Sequence, residues 1–319
     1  MSVLPLVTII IPVFNRPTLV AEAIDSVLTQ TNPNWECIVV DDQSTDTTWE
    51  VLQEYAARDE RIRVFKRDRE PKGAPTCRNL GAELANGEYL IFLDSDDYLV
   101  RNCLENRLNI LARYINYDFI VFPMGIKTSK GIIRSNIPKN QSYLLAFLSY
   151  RLYWQTMCPI WKRQFVLDIG GFDESLPRLN DPDIMIRSLV ESEKGFYIAS
   201  EEPYDCVYNI NSSVNECMDL RVYESLLIFL PKISRFLSVR DHAAKVHYLK
   251  AYLYMWLNTF FFPNESSRIY KPAMLFFIAY KSKIINLQSF LKNILGLVVY
   301  SVFNFISYRC KRFVLKQTK

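Results

Sequence analysis

Two hydrophobic periods alternate along the first hundred residues. Residues 7–13 (VTIIIPV) are an almost unbroken apolar run, rich in β-branched side chains and stopped by Asn15, Arg16 and Pro17. Such a run suits a central strand of a parallel sheet, because helices cover both of its faces and both must be apolar. Leu19, Val20, Ala23, Ile24, Val27 and Leu28 then recur at helical spacing. A second strand is predicted over 37–40, ending in Asp41 and Asp42, followed by a helix over 45–57 and a strand over 62–65. Residues 74–85 read as a helix closed by Asn86 and Gly87, and 89–93 (YLIFL) as a strand that stops in Asp94, Ser95, Asp96 and Asp97. Strand and helix in steady succession predict an α/β fold built on a doubly wound, mostly parallel sheet.

After Tyr98 the pattern loosens. Residues 117–135 read as strands joined by a turn at 129–131. Residues 170–191 read as a loop feeding a helix, with Ile184, Ile186, Leu189 and Val190 as its apolar side. From Glu216 onward the chain reads as helical. The predicted organisation is therefore an α/β domain over 1–215 and a helical region over 216–319.

Charge sharpens that division. The formal charge is only +4, but from Pro231 onward 15 Lys and Arg face two acids, Asp241 and Glu265, while 23 basic and 32 acidic residues precede them. An acidic body (about −9) carries a basic tail (about +13). The seven cysteines (37, 77, 103, 158, 206, 217 and 310) are scattered, without a CxxC pair, and read as reduced and mostly buried thiols of a cytoplasmic protein. The N-terminal residues lack the basic start and small-residue cleavage site of a signal peptide and read as the approach to the first strand.

Open α/β sheets bind ligands outside the carboxyl ends of their strands. Three predicted strand ends carry polar residues: Asn15 and Arg16, Asp41 and Asp42, and the run Asp94, Ser95, Asp96, Asp97. No G-x-G-x-x-G follows the first strand, so a bound phosphate needs another source of positive charge. In an extended chain Asp94 and Asp96 point the same way and form a site for a hard divalent cation, Mg²⁺ or Mn²⁺. Taken alone, such a run also fits a solvated acidic turn.

Four stretches, "TIIIPVFNRP", "IVVDDQSTDTT", "GAPTCRNLGAELANGEYLIFLDSDDYL" and "GGFDESLPRLNDPDIMIRSL", resemble in order and spacing the family 2 glycosyltransferases of GT-A fold, over roughly residues 5–210. The resemblance implies an inverting transferase that takes a sugar from a nucleotide-sugar donor, usually a UDP-sugar, with Mn²⁺ or Mg²⁺ as cofactor. It places Pro12, Phe14, Asn15 and Arg16 around the nucleotide, Asp42 on the base, and Arg78 near the diphosphate or sugar. Asp94 and Asp96 are the implied metal ligands, with Ser95 between them in the donor site, and Asp181 is the implied general base. Asp181 equally suits a helix N-cap. Asn180 stands where many members carry an acid, and Asp183 competes with Asp181 as base. Phe14 replaces a common tyrosine. The Q-x-x-R-W motif of processive synthases is missing, which implies one sugar added per encounter. Two other readings stay open at this level: a catalytically silent sugar-nucleotide-binding scaffold, and a nucleotidyltransferase.

Other features carry less chemistry. His242 and His247 have no partners at zinc-ligand spacing and read as structural or surface residues. Tyr153, Trp154 and Trp161 fit either acceptor stacking or the core. The apolar runs 251–263 and 293–308 are shorter than the ~20 residues a spanning helix needs and read as an interfacial helix pair beside anionic headgroups. The aromatics lie in apolar runs rather than among the basic residues, which argues against nucleic acid. The expected partners are the donor, a glycan or lipid-linked glycan acceptor, and the inner face of the cytoplasmic membrane.

Overall fold

A computed structural model of the chain describes residues 5–209, 218–263 and 269–317. In order, the first elements are β1 (Val7–Val13), α1 (Pro17–Leu28), β2 (Trp35–Asp41), α2 (Thr48–Arg58), β3 (Ile62–Lys66), α3 (Ala74–Leu84) and β4 (Tyr89–Phe92). There follow β5 (Tyr98–Leu99), α4 (Cys103–Arg113), β6 (Phe119–Val121), β7 (Met124–Thr128), β8 (Gly131–Arg134), α5 (Tyr143–Leu148) and β9 (Pro159–Lys162). Next come α6 (Arg163–Asp168), α7 (Asn180–Glu191), β10 (Phe196–Ile198) and β11 (Cys206–Asn209). The helical remainder is α8 (Met218–Val239), a 3₁₀ segment (Ala243–Leu249), α9 (Lys250–Trp256), a π segment (Leu257–Phe261), α10 (Tyr270–Lys281) and α11 (Leu287–Gln317).

The chain divides into two compact units. One comprises Met1–Leu144, Leu152–Ser175 and Asn180–Glu216; the other comprises Leu145–Arg151, Leu176–Leu179 and Cys217–Lys319. The first holds a seven-stranded sheet in the order β10-β6-β9-β4-β1-β2-β3 and a four-stranded sheet in the order β5-β11-β7-β8. In the larger sheet β9 alone runs antiparallel to its neighbours β4 and β6. Every residue of β1, β2 and β4 is buried, as two-sided helical cover requires.

Register decides what meets at the carboxyl ends. Val13 pairs with Asp41, and the Asp42 N–H reaches Val13 O, so Asp42 sits beside the end of β1. On the other side the last rung is Leu93 N–H to Ile10 O, after which Asp94 leaves the sheet. Helix α3 lies deep against β1 because residue 81 is glycine: a Cβ there would fall 2.4 Å from Ile10 Cγ2. That depth fixes Arg78, one turn earlier. Helix α7 differs from its expected amphipathic form. It buries Asn180 and every residue from Pro182 to Ser188, whereas Leu189 and Val190 are only half-buried.

The second unit has its own core, in which Phe229 meets Tyr252 at 4.8 Å and Tyr223 meets Trp256 at 5.4 Å between ring centroids. The excursion Leu145–Arg151 belongs here, and the buried Tyr252 hydroxyl donates to Phe147 O at 2.6 Å. Within the run 251–263, Tyr252, Leu253, Trp256, Leu257 and Phe261 are buried in this core, whereas Tyr254 and Phe262 are exposed. Further exposed apolar side chains lie on α8, α10 and α11. Among the described residues, no helix is long and apolar enough to cross a membrane. Cys37, Cys77, Cys103, Cys158 and Cys206 are free and buried, while Cys217 and the side chain of Cys310 lie outside the described residues, as do the side chains of 303–308.

Candidate active site

The carboxyl ends of β1, β2 and β4 gather most of the expected residues. Asn15 takes a left-handed backbone (φ 50°), which turns the loop after β1 back toward the loop after β2. There the Asn15 N–H donates to Ser44 Oγ at 2.9 Å, its Oδ1 accepts from Thr45 N–H at 2.8 Å, and the Arg16 N–H donates to Thr48 Oγ1 at 3.0 Å. Pro12 is buried in β1, and Phe14 presents an exposed ring with Lys72 Nζ 3.4 Å from its centroid.

Asp42 is held rather than loose. Its Oδ1 accepts from Arg67 Nε at 2.5 Å and from the Gly73 N–H at 3.3 Å, with both side chains buried. Arg67 was not anticipated from the sequence. The β2–β3 register accounts for the pair: Asp41 pairs with Lys66, so the next residues, Asp42 and Arg67, stand level.

Three carboxylates follow β4. Oxygens of Asp94, Asp96 and Asp97 all lie within 4.8 Å of one another, the one cluster of potential metal ligands among the described residues. Arginines neutralise two of them: Arg16 Nη1 lies 2.7 Å from Asp96 Oδ2, and Arg78 Nη2 lies 2.5 Å from Asp94 Oδ1. The third behaves differently. Burial, then the charge of Asp94, pushes the Asp97 carboxyl up to about 9, although its Oδ1 accepts the Asn209 N–H at 2.9 Å. Ser95 is buried between them. A compact, oxygen-only donor set fits a hard divalent cation.

Arg78 joins this cluster to the candidate base. Besides Asp94, its Nη1 donates to Asn180 Oδ1 at 2.9 Å and to Asp181 Oδ1 at 3.3 Å, and its guanidinium lies 4.9 Å from the Phe172 ring centre. Burial opposes its charge, but Asp94 and Asp181 overcome that and hold its pKa above the usual value. Asn79 clamps the loop that leads to the base: its Nδ2 donates to Phe172 O and its Oδ1 accepts the Phe172 N–H. Arg78 and Asn79 together thus tie one helix to both halves of the site.

The competing carboxylate is occupied elsewhere. Asp183 is fully buried and bridged by Arg187 at 2.6 and 2.8 Å, and Arg187 also donates to the carbonyls of Ile169 and Gly171. This pair braces the 169–171 turn, and its i,i+4 spacing was legible in the sequence. Trp154 and Trp161 are core residues, the former donating to Met185 Sδ at 3.2 Å; Tyr153 is half-buried, with its hydroxyl on Gln141. His242 lies beside Lys245 and His247 is exposed.

Residues 8–164 match the family model described as "Glycosyl transferase family 2". Those residues are a family 2 glycosyltransferase domain. Relatives extend the likeness. EpsJ of Bacillus subtilis (strain 168), an uncharacterized glycosyltransferase, is 38% identical over 220 residues, covering 63% of this chain and 62% of EpsJ. TuaG of the same organism, a glycosyltransferase named for teichuronic acid biosynthesis, is 44% identical over 107 residues, covering 34% of this chain and 42% of TuaG. The matched part thus spans less than two thirds of either relative. Among solved structures, residues 1–349 of S. aureus TarS in complex with UDP-GlcNAc share the fold with a TM-score of 0.64 at 18% identity, over 96% of this chain and 92% of that one. The first unit accordingly has the GT-A fold of this family, and a helical region follows it.

Proposed function

We propose that this protein is an inverting glycosyltransferase, moving a sugar from a nucleotide-sugar, a UDP-sugar foremost, to an acceptor hydroxyl in the assembly of a polysaccharide or cell-surface glycan. The observation that carries this reading is the convergence of Asp94, Asp96 and Asp97 with Asp181 around one buried arginine, Arg78. TarS with its bound UDP-GlcNAc and the name of TuaG support the donor class and the product class.

Asp94 and Asp96 would hold Mn²⁺ or Mg²⁺, with Asp97 beside them; such an ion supplies positive charge for the departing diphosphate. The chain's own residues do the rest. The loop 12–16 and Asp42, steadied by Arg67, bind and orient the nucleotide. Arg78 supplies fixed positive charge between the leaving group and the base, where its Nε–H has no acceptor among the described residues. The acceptor oxygen forms a bond to the anomeric carbon as the bond from that carbon to the diphosphate oxygen breaks, and Asp181 takes the acceptor's proton at its carboxylate. Arg78 keeps Asp181 turned into the site.

Release of nucleoside diphosphate from UDP-, GDP- and dTDP-sugars, with Mn²⁺ and then with EDTA, tests this. Metal-dependent release from one donor, lost in Asp181→Asn, is the expected result. Release of pyrophosphate from nucleoside triphosphates would identify a nucleotidyltransferase, and no release with any donor and glycan or lipid-extract acceptors would leave a sugar-nucleotide-binding scaffold.

For the helical unit the reading is attachment to the anionic inner face of the cytoplasmic membrane, where a lipid-linked acceptor would lie. Leu287, Leu291, Leu295, Val298 and Val302 recur three or four residues apart along α11 and are all exposed. From residue 266 to the end the chain carries ten Lys and Arg and no acid. An exposed apolar stripe in a purely basic segment suits an anionic lipid surface. Vesicles containing phosphatidylglycerol should retain the full chain and lose it on Leu291→Glu with Leu295→Glu; equal retention of both proteins would contradict the assignment.

A further inference from the structure

The loop that ends at the candidate base changes allegiance within a few residues. Up to Ser175 it belongs to the α/β unit, where Asn79 and Arg69 grip Phe172 and Glu174. Leu176–Leu179 belong instead to the helical unit, and Asn180 returns to the first. Within the helical unit Leu176 is fully buried, and the Arg178 N–H donates to Ser225 Oγ of α8 at 2.8 Å. Ser225 is itself fully buried, and its hydroxyl donates to Arg221 O at 2.9 Å, one turn earlier in α8, which turns the oxygen's acceptor side toward Arg178.

Leu179 stands between that bond and the site with φ at 61°. A left-handed leucine costs about 1–2 kcal/mol and persists only where its surroundings over-determine it. Asn180 and Asp181 follow at once, both on Arg78 Nη1. A rotation at Leu179 would carry the Asp181 carboxylate off its 3.3 Å contact.

We propose that Ser225 is a positioning residue for the base: its hydroxyl fixes Arg178, holds Leu179 left-handed, and so sets where Asp181 points. This rests on the reading of Asp181 as the general base.

The consequence is a split between turnover and binding. Misplacement of a reacting group by about 1 Å costs about 10²-fold in rate. Ser225→Ala and Ser225→Cys, whose thiol is a weak acceptor, should lower kcat by roughly tenfold or more. Their affinity for UDP with Mn²⁺, measured by calorimetry, should stay within about twofold, because no donor residue is altered. Ser225→Thr keeps the hydroxyl and should restore most of kcat. Hydrogen exchange at residues 176–181 should quicken in the first two variants only. Leu179→Val, whose β-branched side chain opposes the left-handed backbone, should reproduce the kcat loss without touching α8 and keeps the test open if α8 variants do not fold. Wild-type kcat in Leu179→Val, wild-type kcat in Ser225→Ala despite faster exchange, or a Ser225→Thr as slow as Ser225→Ala would each overturn the proposal. Asp181→Asn separates the two readings: if it keeps wild-type turnover, the base assignment fails, whereas a dead Asp181→Asn beside a fully active Ser225→Ala sinks the positioning role alone.

Discussion

Buried carboxylates sit at both ends of the same parallel strands, and they are treated in opposite ways. Where β1 and β2 begin, Glu36 accepts from Thr8 Oγ1 at 2.7 Å, the Asn86 N–H at 2.6 Å, Asn86 Nδ2 at 3.0 Å and Arg63 Nη1 at 3.0 Å. Burial works against its charge, but these donors outweigh it and hold its pKa below the usual carboxylate range. Where β4 ends, Asp94, Asp96 and Asp97 crowd together, and burial drives Asp97 the other way, up to about 9. One end has spent its charge on the fold. The other holds a carboxyl raised by burial beside two arginine-paired carboxylates, and strongly perturbed groups of that kind cluster at functional sites.

The contrast can be broken most sharply at Asp181, the proposed base. Asp181→Asn keeps the shape and the oxygen that faces Arg78 but removes proton acceptance; kcat should fall about 10²–10⁴-fold with thermal stability nearly unchanged, as activity and melting curves would show. Glu36→Ala is the converse. It strands Thr8, Asn86 and Arg63 and should cost about 3 kcal/mol in denaturant unfolding, while turnover per folded molecule stays at the wild-type level.

Acid and base sharpen the comparison further. Glu36, depressed when folded, contributes stability above its unfolded pKa of about 4.3, and that contribution is lost as pH falls through its folded value. The deficit of Glu36→Gln should therefore be full at neutral pH and shrink on acidification. Asp97 is raised, so between its unfolded value of about 3.9 and its folded value of about 9 the folded chain holds a proton that the unfolded chain has released. Its contribution falls as pH climbs through that window. Melting in EDTA should show Asp97→Asn gaining on wild type from pH 4 to pH 9, the reverse of the Glu36→Gln trend.

The front of the fold was legible because β1, β2 and β4 are dominated by apolar runs and each helix keeps its period, so boundaries over residues 7–92 fall within a few residues of expectation. Strand β9 was not, since its four residues (PIWK) carry no period of their own and pair only through β4 and β6. In the run 251–263 apolar sequence does not say which side chains a neighbour covers; here Phe229 packs on Tyr252 and Tyr223 on Trp256. The grouping of Asp94, Asp96 and Asp97 was legible because they stand together after a buried strand. Arg67 and Ser225 were not, because each acts through a contact with a residue 25 or 47 positions away in sequence. Lone arginines and helix serines give no local sign of such work.

In the proposed division of roles the carboxylates after β4 serve binding and Glu36 serves the fold. Calorimetric titration of UDP with Mn²⁺ into wild type, Asp96→Asn and Glu36→Gln separates the two. Glu36→Gln, below its melting point, should bind like wild type, and Asp96→Asn should weaken binding about tenfold or more. Wild-type affinity in Asp96→Asn, or an equal loss in Glu36→Gln, would overturn that division.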